Sequence, residues 1–175
     1  MEKTTIVISA FPGTGKSHFY NKIENTKNNP YIDPTERNKL PVILDSDSSK
    51  FSWIRPGERN PEFPKNYIEH IKDNIGKADL IFVSTHKEVR DALKESGIKF
   101  VVIYPKKYLK EEYMQRFKLR GSPAKFIELM ESKWDEFISE LDEMDDTYKI
   151  ILERNQFLSD IILLANSKNS RDRKS

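Results

Sequence analysis

The stretch Ala10-Phe11-Pro12-Gly13-Thr14-Gly15-Lys16-Ser17 directly follows the apolar run Thr5-Ile6-Val7-Ile8-Ser9. A small residue, four free positions and then Gly-Lys-Ser make the phosphate-binding loop pattern, which has meaning only between a strand and a helix. Both are predicted here: the apolar run reads as a buried strand, and Lys16 to about Asn25 reads as a helix with Phe19, Tyr20 and Ile23 on its apolar side. A strand, a glycine loop and a helix in this order commit the chain to an α/β design, in which further strands alternate with helices.

The residue types match the chemistry of such a loop. Gly13 and Gly15 allow backbone conformations that a side chain would block, so successive amide N–H groups can turn inward around phosphate oxygens beside a helix N-terminus. Lys16 would reach the β- and γ-phosphates of a nucleotide, and the Ser17 hydroxyl would ligate Mg²⁺. Thr14 and His18 complete the expected nucleotide-binding run. Ala10 stands where glycine is commoner. The plainer alternative is a glycine-rich turn with an exposed lysine.

A chain of 175 residues is expected to form one domain, here residues 1–165, with a polar, flexible tail at 166–175. Thirty basic residues against 28 acidic ones leave a net charge of +2, which provides no global footprint for nucleic acid or an anionic membrane, although a local basic patch stays open. With no cysteine there are no disulfides and no thiolate metal sites. No apolar segment is long enough for a signal peptide or a membrane span, so a soluble, cytoplasmic protein without a membrane partner is expected.

Residues 25–40 are rich in Asn, Pro, Lys and Thr without a helical or strand period, and read as a surface loop. Pro41-Val42-Ile43-Leu44-Asp45 reads as a buried parallel strand ending in acid, and Asp45-Ser46-Asp47-Ser48-Ser49 as a turn. Beside a phosphate loop, Asp45 suits Mg²⁺ held through water, and Asp47 suits orienting or deprotonating an acceptor hydroxyl. The alternative for both is a turn or helix cap.

The segment Phe51–Pro61 reads as irregular. In it Trp53 would stack on a base or sugar, or else anchor the loop to the core, and Arg55 or Arg59 would hold an acceptor phosphate. A helix over 64–76 carries the stripe Tyr67, Ile68, Ile71 and Ile75. The strand 78–85 ends in Ser-Thr-His and lacks the terminal acid of motor ATPases, and His86 reads as a cap or surface residue before a helix over 87–96.

A strand over 99–104 is followed by a charged helix over 106–120, on which Arg116 and Arg120 share a face with Leu109 and Tyr113. Those arginines would fold over ATP and stabilise charge on the transferred phosphoryl, or else pair with nearby acids. After a break at Gly121-Ser122-Pro123, with Ser122 as N-cap, the stripe Phe126, Met130, Trp134, Phe137, Leu141 and Met144 marks a long helix with Trp134 in the core. A last strand over 147–152 and a helix over 157–165 complete the chain.

With these residues in place the chain resembles the small P-loop kinases, namely the nucleoside monophosphate kinases with their shikimate- and gluconate-kinase relatives. It is also similar to short nucleotide-kinase-like proteins of bacteriophages. The resemblance implies a three-layer P-loop NTPase fold: a five-stranded parallel sheet in the order 2-3-1-4-5 with helices on both faces. By that resemblance Asp45 and Asp47 match the Asp-x-Asp after the second strand of the hydroxyl kinases, and Arg116 and Arg120 match the arginines of the lid over ATP. The lid is here a short segment, about 106–122, and Ser84-Thr85-His86 stands where adenylate-kinase-type enzymes carry Asp-Gly-x-Pro-Arg.

The expected function is therefore transfer of the γ-phosphoryl group of ATP, with Mg²⁺, to a small acceptor, a nucleoside monophosphate first. A hydroxyl acceptor, on a small molecule or a nucleic-acid end, is the alternative. A nucleotide-binding switch or inhibitor acting through a protein partner belongs to a different class.

Overall fold

The computed structural model describes residues 3–162. Its main sheet has five strands, β1 (Ile6–Ala10), β2 (Ile43–Asp45), β5 (Leu80–Val83), β6 (Val101–Pro105) and β7 (Tyr148–Leu152), in the order β2-β5-β1-β6-β7. Every pairing in it is parallel, with Ile8 opposite Phe82 on one side and Val101 on the other. The helices are α1 (Lys16–Lys27), α2 (Pro34–Arg37), α3 (Ser49–Ser52), α4 (Lys65–Asn74), α5 (Lys87–Glu95), α6 (Lys110–Leu119) and α7 (Ala124–Asp142). Two short strands, β3 (Trp53–Arg55) and β4 (Glu58–Arg59), pair antiparallel in a separate hairpin.

Alternation along the strands sorts the core into two faces. Val7, Ile81, Val83, Val102 and Tyr104 pack with residues of α4 to α7, whereas Ile8, Leu80, Phe82 and Ile103 pack with Phe19 and Ile23 of α1 and with Leu158. A parallel strand covered on both sides needs an unbroken apolar run, which is why these strands could be read directly from sequence. Parallel strands also bring their C-terminal ends to one edge, where the loops after β1, β2 and β5 meet.

Two stretches differ from the sequence expectation. Residues 25–40 are not a plain loop: α1 continues to Lys27, and Pro34–Arg37 forms a helical turn whose first amides are capped by the Asp33 carboxylate, which accepts from Thr35 N at 2.7 Å. Arg37 closes that excursion by donating to the carbonyls of Asn29 and Ile32, both at 3.0 Å. The segment 51–61 is not irregular but carries the hairpin, turned at Gly57, whose φ of 81° a side chain would resist.

Ser122 does not cap α7. Pro123 holds that place with no side-chain bond, and the Ser122 hydroxyl instead accepts from Arg120 Nε at 2.8 Å. Met144 lies just past the end of α7, yet is buried with its stripe. The expected closing helix is helical from Leu158 to Ile162; its remainder and the 166–175 tail lie outside the described residues. No helix among the described residues is long and apolar enough to cross a membrane.

Trp134 joins α7 to the site end of the sheet. It is fully buried, 5.5 Å ring to ring from both Phe11 and Tyr113, and its Nε1 donates to Lys107 O at 2.7 Å. Trp134→Ala removes that packing and orphans the carbonyl, and is expected to cost about 3–5 kcal/mol in a denaturant unfolding titration. A loss under about 1 kcal/mol would mean that the neighbouring rings collapse into the space.

Candidate functional site

The loop from Ala10 to Ser17 leaves β1 at the C-terminal edge and enters α1. Phe11 N continues the sheet by bonding to Ile103 O at 2.9 Å, and the buried Thr14 closes the turn with its hydroxyl on Phe11 O at 2.7 Å. Gly13 and Gly15 both hold left-handed backbone, with φ of 81° and 91°. A Cβ on Gly13 would sit 2.9 Å from the Phe117 ring, and one on Gly15 would sit 2.9 Å from the Phe157 ring. Among the described residues, no acceptor meets the amide N–H of Gly13, Gly15, Lys16, Ser17 or His18. Consecutive free amides at a helix start make an anion-attracting concavity.

Lys16 Nζ faces Asp45 Oδ1 at 3.3 Å, both side chains being about three-quarters covered. That carboxylate oxygen is buried and receives no hydrogen bond. The Asp45 oxygen, held only by its ion pair with Lys16, and the Ser17 hydroxyl in the first turn of α1 are oxygens of the kind Mg²⁺ takes, with phosphate and water making up the rest. Among the described residues no group of three or more His, Cys, Asp or Glu clusters to hold a metal by itself, so any Mg²⁺ would lean on phosphate oxygens and water.

The turn after β2 is held from several sides. Ser46 N donates to Phe82 O at 3.0 Å, and Tyr67 of α4 donates its hydroxyl to Ser46 O at 2.7 Å; burial pushes that phenol's pKa up. Ser48 Oγ donates to Ser84 Oγ at 3.2 Å, while Ser9 Oγ donates to Ser84 O at 3.0 Å. These serines stitch the ends of β1, β5 and the β2 turn together. The sequence places Tyr67 in the apolar stripe of its helix and Ser9 and Ser84 at strand ends without giving any of them a role at this turn; for the serines, a hydroxyl ending an apolar strand is the available signal. Asp47 is exposed, with Oδ1 accepting from Ser49 N at 2.9 Å in the turn before α3, whose cap position is Ser48, and its other oxygen stays free among the described residues.

Neither a protein-family model nor a curated protein sequence matches the chain. Among solved structures it is similar to an uncharacterized protein from Eubacterium ventriosum, at 12% identity over 97% of this chain and 99% of that one, with a TM-score of 0.47. It is also similar to the protein APE1195, at 16% identity over 97% and 96% of the two chains, with a TM-score of 0.44.

The hairpin stands beyond this turn. Trp53 is 42% exposed, so it does not anchor the segment in the core; Arg59 lies over its ring at 5.2 Å and pairs with Glu88 of α5 at 3.1 Å. Arg55 pairs with Glu58 across the turn and is exposed. His86, before α5, has its pKa pulled below the ordinary value by desolvation and by the charges of Arg59 and Arg90, with Glu88 and Asp47 opposing.

Arg116 and Arg120 separate. Arg116 does not reach over the open loop: Nη1 donates to Gly13 O at 2.9 Å, and Nη2 donates to Gln156 O at 2.9 Å and Glu112 Oε2 at 3.0 Å. Arg120 is exposed and lies over Phe117 and Phe126 at 5.0 and 5.5 Å. In the 106–122 segment, Leu109, Tyr113, Met114 and Phe117 are core, which leaves Lys118 to Gly121 clear of it. Tyr113, under the loop, has its pKa pushed up to about 12 by burial. His18 is exposed and lines a groove of about 410 Å³ along α1 with Asn21, Lys22 and Asn25.

Proposed function

We propose that the protein is a P-loop phosphotransferase that moves the γ-phosphoryl group of ATP to a small acceptor, a nucleoside monophosphate first. The observation that carries this reading is the loop after β1, whose amides meet no acceptor among the described residues and whose Lys16 pairs with the buried Asp45 oxygen at 3.3 Å. The sheet supports it too: numbering the five main strands alone, their order is 2-3-1-4-5, the order expected of these kinases.

The loop amides and Lys16 would hold the β- and γ-phosphates, with Ser17 and Asp45 as the Mg²⁺ side of the cradle. Bound Mg²⁺ would supply neutralisation of charge on the phosphate oxygens. The acceptor oxygen bonds to the γ-phosphorus as the bond to the β–γ bridging oxygen breaks, so positioning and charge stabilisation are the protein's main work. The exposed Trp53 face suits a base or sugar, and Arg59, on exchanging Glu88, suits an acceptor phosphate, with Arg55 at the outer turn. Arg120 gives Nε to Ser122 but keeps both Nη groups without a hydrogen bond among the described residues, so it is the arginine that would meet charge on the phosphoryl group.

A hydroxyl acceptor is the second reading, favoured by the free Asp47 oxygen. Asp47 would take the hydroxyl proton as the new bond forms. Asp47→Asn then separates the two: with a hydroxyl acceptor kcat falls about 10²–10⁴-fold while ATP affinity holds, whereas a mononucleotide phosphate has no such proton to lose. Steady-state rates with each acceptor check this, and unchanged turnover with the best acceptor removes Asp47 from the mechanism.

The direct test is transfer from labelled Mg·ATP to a panel of mononucleotides, nucleosides, sugars, hydroxy acids and 5′-hydroxyl oligonucleotides. One labelled product, absent with Lys16→Ala, names the acceptor class. Lys16-dependent ATP binding with no product from any acceptor points to a switch or inhibitor.

A further inference from the structure

We propose that Arg116 is a positioning residue that sets the shape of the phosphate cradle from behind, and does not itself touch the transferred phosphoryl; this rests on the phosphate-binding reading of the loop. In a trans peptide the C=O and N–H point in opposite directions. Arg116 Nη1 holds the Gly13 carbonyl at 2.9 Å, which goes with Thr14 N–H turned back onto Phe11 O at 3.3 Å. Leu158 N holds the next carbonyl, Thr14 O, at 2.9 Å, which turns Gly15 N–H away from Leu158, where it meets no acceptor among the described residues. Two successive peptide planes of the loop are thus fixed by residues outside it.

Both anchors belong to one assembly. Besides Gly13 O, Arg116 bonds Gln156 O and Glu112, and the other Glu112 oxygen accepts from Asn155 N at 3.0 Å. The guanidinium lies 4.4 Å from the Tyr113 ring centroid and 3.9 Å from that of Phe157, and Phe157 fills the space where a side chain on Gly15 would stand. The Arg116 side chain is only 12% exposed. A transition-state arginine needs donors free to meet the phosphoryl oxygens, but reaching forward here would break three hydrogen bonds and abandon two aromatic faces.

The physical gain is preorganisation. Loop glycines are the residues with most backbone freedom to lose, so a loop ordered before the ligand arrives spares binding that entropy and presents its amides in place. Arg116 therefore governs affinity for the polyphosphate itself, even where there is no base to recognise and no reaction to complete. An arginine finger would govern turnover and leave such affinity alone.

Isothermal titration calorimetry with Mg²⁺ and inorganic tripolyphosphate, on the full chain, tests this. Wild type is expected to bind and Lys16→Ala to fail. Arg116→Gln is expected to bind about tenfold or more weakly, the size of a lost charge-assisted hydrogen bond, and Arg116→Lys to recover part of it through a single bond to Gly13 O. In ¹H–¹⁵N spectra at saturating ligand, the Gly15 amide shift seen in wild type should return in Arg116→Lys and be absent in Arg116→Gln.

Glu112→Gln keeps the side-chain shape and loosens the grip on Arg116. It should also weaken binding, and it serves as the deciding variant if Arg116→Gln does not fold. Wild-type tripolyphosphate affinity in a folded Arg116→Gln, or in Glu112→Gln where that variant decides, overturns the positioning role. A wild type that does not bind in a Lys16-dependent way overturns the phosphate-binding reading and, with it, this one.

Discussion

Lys16→Ala is expected to lower phosphoryl transfer by about 10²–10³-fold, the size of losing one preorganised charge-stabilising group, and to weaken ATP binding. The fold should hardly notice. Lys16 pairs with Asp45 at 3.3 Å, but both side chains keep about a quarter of their surface in water, and a pair of that kind contributes at most about 1 kcal/mol. Oδ1 of Asp45 is buried beside that lysine, and truncation to alanine opens the space through which water reaches it. Large loss of activity with an almost unchanged unfolding midpoint is therefore the signature, read from kcat and denaturant titration on one preparation. Equal losses in both would make Lys16 a structural ion-pair residue, and unchanged activity would place the chemistry away from this loop.

Much of the fold was legible because it rests on local patterns. Strands buried on both faces leave apolar runs such as Leu80 to Val83, and the stripe from Met130 to Leu141 records the buried side of α7. What escaped depends on partners distant in sequence or on elements too short to carry a period. The turn Pro34–Arg37 is four residues long and exists because Asp33 caps it and Arg37 ties it to Asn29 and Ile32. The hairpin offered only the Pro56-Gly57 turn signal between two very short strands, with no buried face to impose alternation.

The candidate site divides in the same way. The loop glycines, Lys16 and the Asp45 turn sit on local motifs, and the structure brings Lys16 and Asp45 together. Arg116 shows the limit: its face on α6 was correctly placed beside Tyr113, but its main partner is Gly13, 103 residues away. Arg90 shows it again, a charge within a surface-like sequence that is in fact buried, donating to Thr85 O at 2.8 Å and pairing with Glu140 at 3.3 Å. A charged residue on an amphipathic helix does not announce whether water or a carbonyl satisfies it.

Gly15→Ala should damage the loop twice over. Its φ of 91° is backbone that an L side chain adopts at a cost of about 1–2 kcal/mol. The new Cβ would also stand 2.9 Å from Phe157 Cδ1, and that ring is not free to swing away, because Arg116 lies 3.9 Å above it. Overpacking of this kind adds about 1–3 kcal/mol. Relief must come either from Phe157, which disturbs Arg116 and its bond to Gly13 O, or from residue 15 itself, which turns its amide off the cradle. Nucleotide binding should therefore fall by about 10²-fold or more, together with stability.

Gly97→Ala is the control, with φ of 70° and nothing within 4 Å of the added Cβ, so it carries the backbone cost alone and leaves binding intact. Adding Phe157→Ala to Gly15→Ala should return the steric part and not the backbone part, a coupling that unfolding and nucleotide titrations of the four proteins would measure. If Gly15→Ala costs no more than Gly97→Ala and still binds nucleotide, then the contact with Phe157 is not what requires glycine at this position.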